Sequence, residues 1–258
     1  MSTVAVAVVR DEADIIARTI DQIASQVDHV IVADNGSTDG TREILADRGV
    51  QVIDDDCRAF LQAEKVTALA QIAGSTGATW VVPFDADEMW FAPPGTTIAE
   101  VLKDTPAEVN AVGAVFFNHV ATDTDDMAEP DPVKRLQWRE LHNGDLMRVA
   151  ARVTPDLTIE DGNHFVFHGD RLSFAWPRFV VRHYSLRSFD QFSAKARKCV
   201  EGIRRAGLHP AIAAHWREWA DAVDSANPDE ALRAIWDERL HRDPEGDFTL
   251  TCDPAEVR

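Results

Sequence analysis

The sequence predicts an α/β fold: a mostly parallel central sheet flanked by helices, followed by a C-terminal helical extension. Three observations predict it. Short apolar runs at residues 4–9, 30–33, 50–53 and 80–84 alternate with stretches of helical spacing, as strands joined by right-handed crossover helices do. The runs ending at 33 and 84 stop abruptly in acidic residues, and the carboxyl ends of strands are where open α/β sheets place ligands. From about residue 186 the spacing turns helical.

Taken in order, residues 4–9 are continuously apolar, as a strand covered on both faces is. Ile16, Ile20, Ile23 and Val27 then recur at helical spacing, and Asp11 is placed to cap that helix. After the second strand comes the turn Asp34-Asn35-Gly36-Ser37-Thr38-Asp39-Gly40-Thr41. A short helix starts near Arg42 and stops at Gly49, and residues 50–53 give the third strand. Residues 60–73 read as a helix with Val66, Leu69, Ala70 and Ala73 on one side. The fourth strand, 80–84, runs into Asp85-Ala86-Asp87-Glu88. Beyond residue 92 the pattern loosens. Strands are expected at 109–120, 146–153 and 177–184, and a mobile acidic loop at 121–132. Three helices follow up to about residue 241, then an irregular tail. These elements divide into a catalytic domain over 1–185, with a nucleotide-binding half to residue 92, and a helical extension over 186–258 packed on it.

The chain has 258 residues and 45% hydrophobic residues, enough for one large α/β domain with an extension. Its formal net charge of -18 repels nucleic acid and anionic membranes. Three widely spaced cysteines, Cys57, Cys199 and Cys252, give no zinc-like spacing and suit a reducing, cytoplasmic compartment. The N-terminus lacks a basic leader, and no apolar run reaches membrane-spanning length. A homodimer is compatible with all of this.

Alternation along an extended chain sends Asp85 and Asp87 to one side. Two hard oxygen ligands that close favour Mg²⁺ or Mn²⁺, especially with a substrate phosphate completing the shell. Asp34, at a strand end, is placed to accept hydrogen bonds from a ribose or base, although Asn-Gly and Asp-Gly pairs also build ordinary turns.

Residues 33–41, Ala-Asp-Asn-Gly-Ser-Thr-Asp-Gly-Thr, resemble the signature of family 2 glycosyltransferases of the GT-A fold. Val8-Val9-Arg10-Asp11-Glu12 resembles the end of that family's first strand, with Asp11 replacing the usual Asn, and Asp85-Ala86-Asp87-Glu88 resembles its metal motif. Together these cover about the first third of the chain, in family order. In the second half, Gly162-Asn163-His164 and His183-Tyr184-Ser185-Leu186-Arg187-Ser188, with Gln191, Phe192 and Lys195, resemble elements of a family 2 and family 92-like group.

The resemblance implies a metal-dependent enzyme that moves a sugar from a UDP- or GDP-linked donor to an acceptor the sequence does not identify. Asp87 holds the cation, Asp85 contacts ribose or metal, and a late His completes the set: His183, with His164 as its rival. Asp34 reads base or ribose in a pocket also lined by Val9, Asp11, Asn35 and Ala86. Lys65 faces base or diphosphate, or is simply solvated. Arg187 and Lys195 reach the diphosphate or an anionic acceptor. Asp161 is the choice for the base that deprotonates the acceptor, against Glu160 and against a plain turn-forming Asp before Gly162; Glu88 orients the metal site. Trp90 is placed to lie under a sugar.

Two other classes stay in view. A nucleotidyltransferase shares the architecture but usually opens with a Gly-rich loop, which Arg10-Asp11-Glu12 does not supply. A sugar-nucleotide-binding protein without turnover keeps the fold alone.

Overall fold

The computed structural model describes residues 1–142, 147–169, 172–209 and 214–254. They form two compact units: Met1–Asp56, Gln62–Phe117 and His142–His183 make the first, and Cys57–Leu61, Asn118–Leu141 and Tyr184–Arg258 the second.

In the first unit, β1 (Thr3–Val9), β2 (His29–Asp34), β3 (Gln51–Asp54) and β4 (Trp80–Pro83) are joined by α1 (Ile16–Ala24), α2 (Thr41–Asp47) and α3 (Gln62–Ser75). The strands lie parallel in the order β3-β2-β1-β4. From β1 the chain steps outward to β2 and β3, then returns to β4 on the other side of β1. The order reverses between β1 and β4, and such switch points open a crevice at the strands' carboxyl ends. A short strand β5 (Glu88–Phe91) follows the acidic turn, and α4 (Ile98–Lys103) follows it, opened by a capping box between Thr97 and Glu100. β6 (Ala111–Val120) and β8 (Met147–Arg152) extend the sheet antiparallel beyond β4.

Burial explains why these segments fold so. Val4–Ala7 of β1 are at most 2% exposed, so the strand is covered on both faces. Ile16, Ile20 and Ile23 put the apolar stripe of α1 on one side of the sheet with Val32, Val82 and Trp80. Val66, Leu69, Ala70 and Ala73 of α3 pack with Val4, Val6 and Ile31 in a second cluster. Each fully buried branched side chain contributes about 1.5–3 kcal/mol.

The second unit carries the end of β6 (residues 118–120), the short helix α5 (Pro132–Arg135), β7 (Trp138–Glu140) and β12 (Leu250–Cys252) in an antiparallel ladder. It also holds the helices α6 (Phe189–Arg205), α7 (Ala214–Val223) and α8 (Pro228–Arg239). Phe192 on α6 lies 5.7 Å from the Trp219 ring and 6.0 Å from the Trp236 ring, an aromatic core for the helices. Among the described residues no helix is long and apolar enough to cross a membrane.

The α/β class holds, and the four parallel strands and three C-terminal helices lie where the sequence puts them. The differences are local. Asp11 does not cap α1: its backbone is left-handed at φ 52, and α1 starts after Ile15 without a side-chain cap. The tail contains β12, because Leu250–Cys252 pair with Trp138–Glu140. Between β8 and the last long strand, β11 (Phe174–His183), lies an unforeseen hairpin of β9 (Leu157–Ile159) and β10 (Val166–His168), bridged by a 3₁₀ turn at Asp161–Asn163. Leu146, the expected first residue of β8, lies outside the described residues.

Candidate active site

The acidic turn is held by helix α1 from behind. Thr19 Oγ1 donates to the Ala86 carbonyl at 2.6 Å. One turn later, Gln22 Nε2 donates to the Trp90 carbonyl while Trp90 N donates to Gln22 Oε1 at 3.2 Å. Thr19 and Gln22 thus fix the turn and the strand β5 that follows it. The Glu88 amide closes it onto the Asp85 carbonyl at 3.0 Å.

β11 lies antiparallel to β5 with His183 opposite Glu88. This register brings His183 Nε2 to 3.4 Å from Asp87 Oδ1, with Asp87 4% exposed. The Phe116 ring backs the imidazole at 4.8 Å. Asp85 is held differently: Gln62 Nε2 and Asn163 Nδ2 each donate to its Oδ1 at 3.1 Å. Its Oδ2 lies 3.8 Å from Arg148 Nη2.

Beneath the turn, Arg148 on β8 is 4% exposed and Glu88 is fully buried. Arg148 Nε donates to Glu88 Oε1 at 2.6 Å. Burial by itself lowers the guanidinium pKa, but the charges of Glu88, Asp85 and Asp87 outweigh it and hold the pKa above its ordinary value. Two near-buried groups of opposite charge are accommodated here as a pair. On the far side, His164 Nδ1 lies 2.8 Å from the Met147 carbonyl, and Arg148 Nη1 reaches Nδ1 and Nε2 at 2.7 and 3.2 Å. A carbonyl only accepts and a guanidinium only donates. Nδ1 therefore stands between a carbonyl, which takes a proton from it, and a guanidinium, which takes its lone pair, and Arg148 also reaches Nε2. Burial, then the Arg148 charge, lower the His164 pKa and keep the ring neutral near pH 7.

The second part of the site is the Asp34 loop. Asp34 is 3% exposed; its Oδ1 accepts from Ser37 N at 3.1 Å and Ser37 Oγ at 2.5 Å. Arg42 Nη1 lies 3.3 Å from Asp34 Oδ2. Asn35 N donates to the Val9 carbonyl at 2.8 Å, and its side chain donates to the Asp55 carboxylate at 2.9 Å. Lys65 Nζ meets the same carboxylate oxygen, Asp55 Oδ2, at 2.7 Å, so Lys65 is neither simply solvated nor isolated. Asp11 ties the two loops together: its Oδ1 accepts from Thr38 N at 2.7 Å and its own N–H donates to Ser37 Oγ at 2.9 Å. Glu12 N donates to Thr41 Oγ1 at 2.8 Å. Against burial, which raises it, hydrogen bonds from Thr41 and Ala13 leave the Asp39 pKa below its usual value. Gly40, at φ 98, supplies the left-handed residue that leads into α2.

The fold thus brings Val9, Asp11, Asp34, Asn35, Asp85, Ala86, Asp87 and His183 to the strand ends of the first unit. Asp161 Oδ1 accepts from the Ala63 amide at 2.8 Å, capping α3 from outside the helix. Arg187 and Lys195 belong to the second unit. Arg187 is 1% exposed and its Nη1 donates to the Tyr184 carbonyl at 2.9 Å; Lys195 Nζ donates to Ser185 Oγ at 3.2 Å. Trp90 is not a sugar platform: it is fully buried, 6.2 Å from the Phe179 ring. Sequence reasoning missed Arg148, Gln62, Thr19 and Gln22, none of which lies in a motif.

The donor set suits one divalent ion. Cis ligands of an ion bonded at about 2.1 Å stand roughly 3 Å apart, close to the Asp87–His183 separation of 3.4 Å. Among the described residues no three His, Cys, Asp or Glu side chains converge as a metal cluster by themselves, so an ion here would need most of its ligands from elsewhere.

Residues 4–155 match the family described as Glycosyl transferase family 2. A TPR repeat-containing protein of Synechococcus elongatus is 27% identical over 187 residues. That match covers 69% of this chain and 40% of the relative, so the chain spans less than half of that protein's length. Glucosyl-3-phosphoglycerate synthase from Mycobacterium tuberculosis, in complex with Mn²⁺, UDP and glucosyl-3-phosphoglycerate, is 19% identical with a TM-score of 0.39, covering 81% of each chain. S. aureus TarS in complex with UDP is 12% identical with a TM-score of 0.41, covering 88% of this chain and 73% of that one.

Proposed function

The chain belongs to glycosyl transferase family 2, and we propose that it moves a sugar from a nucleoside-diphosphate donor, UDP- or GDP-linked, to an acceptor hydroxyl with the help of Mn²⁺ or Mg²⁺. The observation that carries this reading is the approach of Asp87 to His183, 3.4 Å apart beside the switch point of the sheet. Asp87 and His183 would hold the ion, leaving coordination positions that the donor's phosphates could fill. An imidazole beside a carboxylate favours Mn²⁺ over Mg²⁺, which prefers oxygen alone.

When bound, the cation neutralises charge that builds on the departing diphosphate as the sugar C–O bond breaks. The residues of this chain arrange everything else. Asp34, held by Ser37 and Arg42, reads ribose or base, and Val9, Asp11, Asn35 and Ala86 line the same pocket. Asp85, fixed by Gln62 and Asn163, takes a ribose hydroxyl. Lys65 steadies Asp55, which in turn holds Asn35. Asp161 is exposed on the loop that carries Asn163, and it is the carboxylate we assign to the acceptor proton.

Thermal unfolding with UDP, GDP and ADP, each with and without Mn²⁺, tests the reading. It expects one nucleotide to stabilise the fold only when metal is present. No stabilisation by any of the pairs contradicts it.

A further inference from the structure

We propose that Arg148 is a positioning residue of the donor site, acting through Asp85. The inference deepens the reading above and rests on it.

Three carboxylates, Asp85, Asp87 and Glu88, crowd one turn. Like charges this close repel and spread the turn apart, unless a cation answers them. Arg148 is that cation, 4% exposed under the turn. Its grip is shared through Glu88, whose two oxygens do different things. Oε1 takes Arg148 Nε at 2.6 Å, while Oε2 accepts from the Asp85 amide at 3.2 Å. Any shift of the guanidinium therefore pulls on the Asp85 backbone. The same guanidinium faces the Asp85 carboxylate at 3.8 Å and rests 4.3 Å from the Phe116 ring, the ring that backs His183. His164 holds its outer edge.

Asp85 is thus set from every side: backbone by Glu88, Oδ1 by Gln62 and Asn163, Oδ2 by Arg148. With both amide donors on Oδ1, the oxygen facing Arg148 is the one whose direction a ribose hydroxyl would sense. Arg148 fixes that direction. It also cancels one of the three negative charges, leaving the turn with the charge that one divalent cation balances.

The test must separate this role from simple support of the fold. Replacing both buried partners of an ion pair by neutral side chains is often tolerated, so the double variant Glu88→Gln with Arg148→Met is the main probe. It removes one negative and one positive charge, so the net charge of the site is unchanged. We expect a melting temperature near that of the parent and an Mn²⁺ affinity, at saturating UDP, near that of the parent. We expect the Kd for UDP, at saturating Mn²⁺, to rise about tenfold or more. A purely structural pair predicts the opposite split: where folding is restored, UDP binding is restored too, and that result overturns the proposal. Should the double variant not fold, Arg148→Lys decides. It keeps the charge but loses the fork that spans Glu88 and Asp85, so UDP binding weakens at unchanged Mn²⁺ affinity; unchanged UDP binding overturns the proposal. Where GDP is the nucleotide that binds the parent with Mn²⁺, the variants are titrated with GDP instead; a parent protein that binds neither UDP nor GDP with Mn²⁺ defeats the functional reading and this inference together. A parent that binds, with variants that bind equally well, defeats this inference alone.

Discussion

His183 Nε2 stands 3.4 Å from Asp87 Oδ1, although the two residues are 96 positions apart in the chain. The antiparallel pairing of β11 with β5 makes the contact, because it sets His183 opposite Glu88, the neighbour of Asp87. Neither residue is delivered by a flexible loop: one ends a ten-residue strand and the other sits in a turn pinned by α1. A site on such rigid supports needs little reorganisation when an ion and a diphosphate arrive.

Breaking the Glu88–Arg148 pair from one side is expected to be costly. Glu88→Ala leaves a guanidinium that is 4% exposed without its partner. A loss of about 3–5 kcal/mol follows from the usual penalty for an orphaned buried charge, read from urea unfolding. A loss within the scatter of surface substitutions contradicts the buried pair.

Gly162 is required by its backbone and by its neighbour. Its φ is 74, and a Cβ there meets the His164 ring at 2.8 Å. Gly162→Ala is expected to cost about 1–2 kcal/mol for the left-handed backbone alone and to push His164 off Arg148. Thermal unfolding reads the first effect, and weakened UDP binding reads the second.

The neutral His164 makes stability depend on pH. Its pKa is lowered in the fold by burial and then by Arg148, so below pH 6.5 the unfolded chain takes up a proton that the folded ring resists. This contribution is complete above that pH and is lost as the pH falls through the depressed folded value. His164→Gln keeps a hydrogen-bonding side chain but cannot titrate. Between pH 7 and pH 5 the variant should lose less melting temperature than the parent. Parallel losses contradict the assigned neutral ring.

Asp161 combines a structural task with the proposed chemical one, and Asn separates them. Asp161→Asn keeps an oxygen for the Ala63 amide, and Asn caps helices as well as Asp does. Unfolding temperature and Mn²⁺-dependent UDP binding should stay near parental, while sugar transfer drops by about 10²–10⁴, the usual weight of a general base. Unchanged transfer assigns Asp161 to the cap alone.

Much of the fold is legible because its signals are local. The apolar run 4–9, the helical recurrence of Ile16, Ile20 and Ile23, and the α3 stripe of Val66, Leu69 and Ala73 each reflect the face that a single element buries. The acidic turn and the Asp34 loop are legible for the same reason: a strand end and a tight turn have short-range residue rules. The parts that escape the sequence are made by pairing at a distance. β5 and β12 are short strands with no alternation of their own, and partners 89 or more residues away define them. Arg148 looks like any arginine in an apolar strand until β8 is placed beside β4 and β6. Asp11 has the residue type of a cap, yet its left-handed backbone turns it toward Thr38.

The most direct test of the central claim is titration of the parent and of Asp87→Ala with UDP and with GDP, each with and without Mn²⁺, followed by calorimetry or thermal shift. The account predicts that Mn²⁺ strengthens the binding of one of the two nucleotides to the parent, and that Asp87→Ala melts like the parent without ligand but gains nothing from Mn²⁺. Equal Mn²⁺-dependent binding by Asp87→Ala contradicts it.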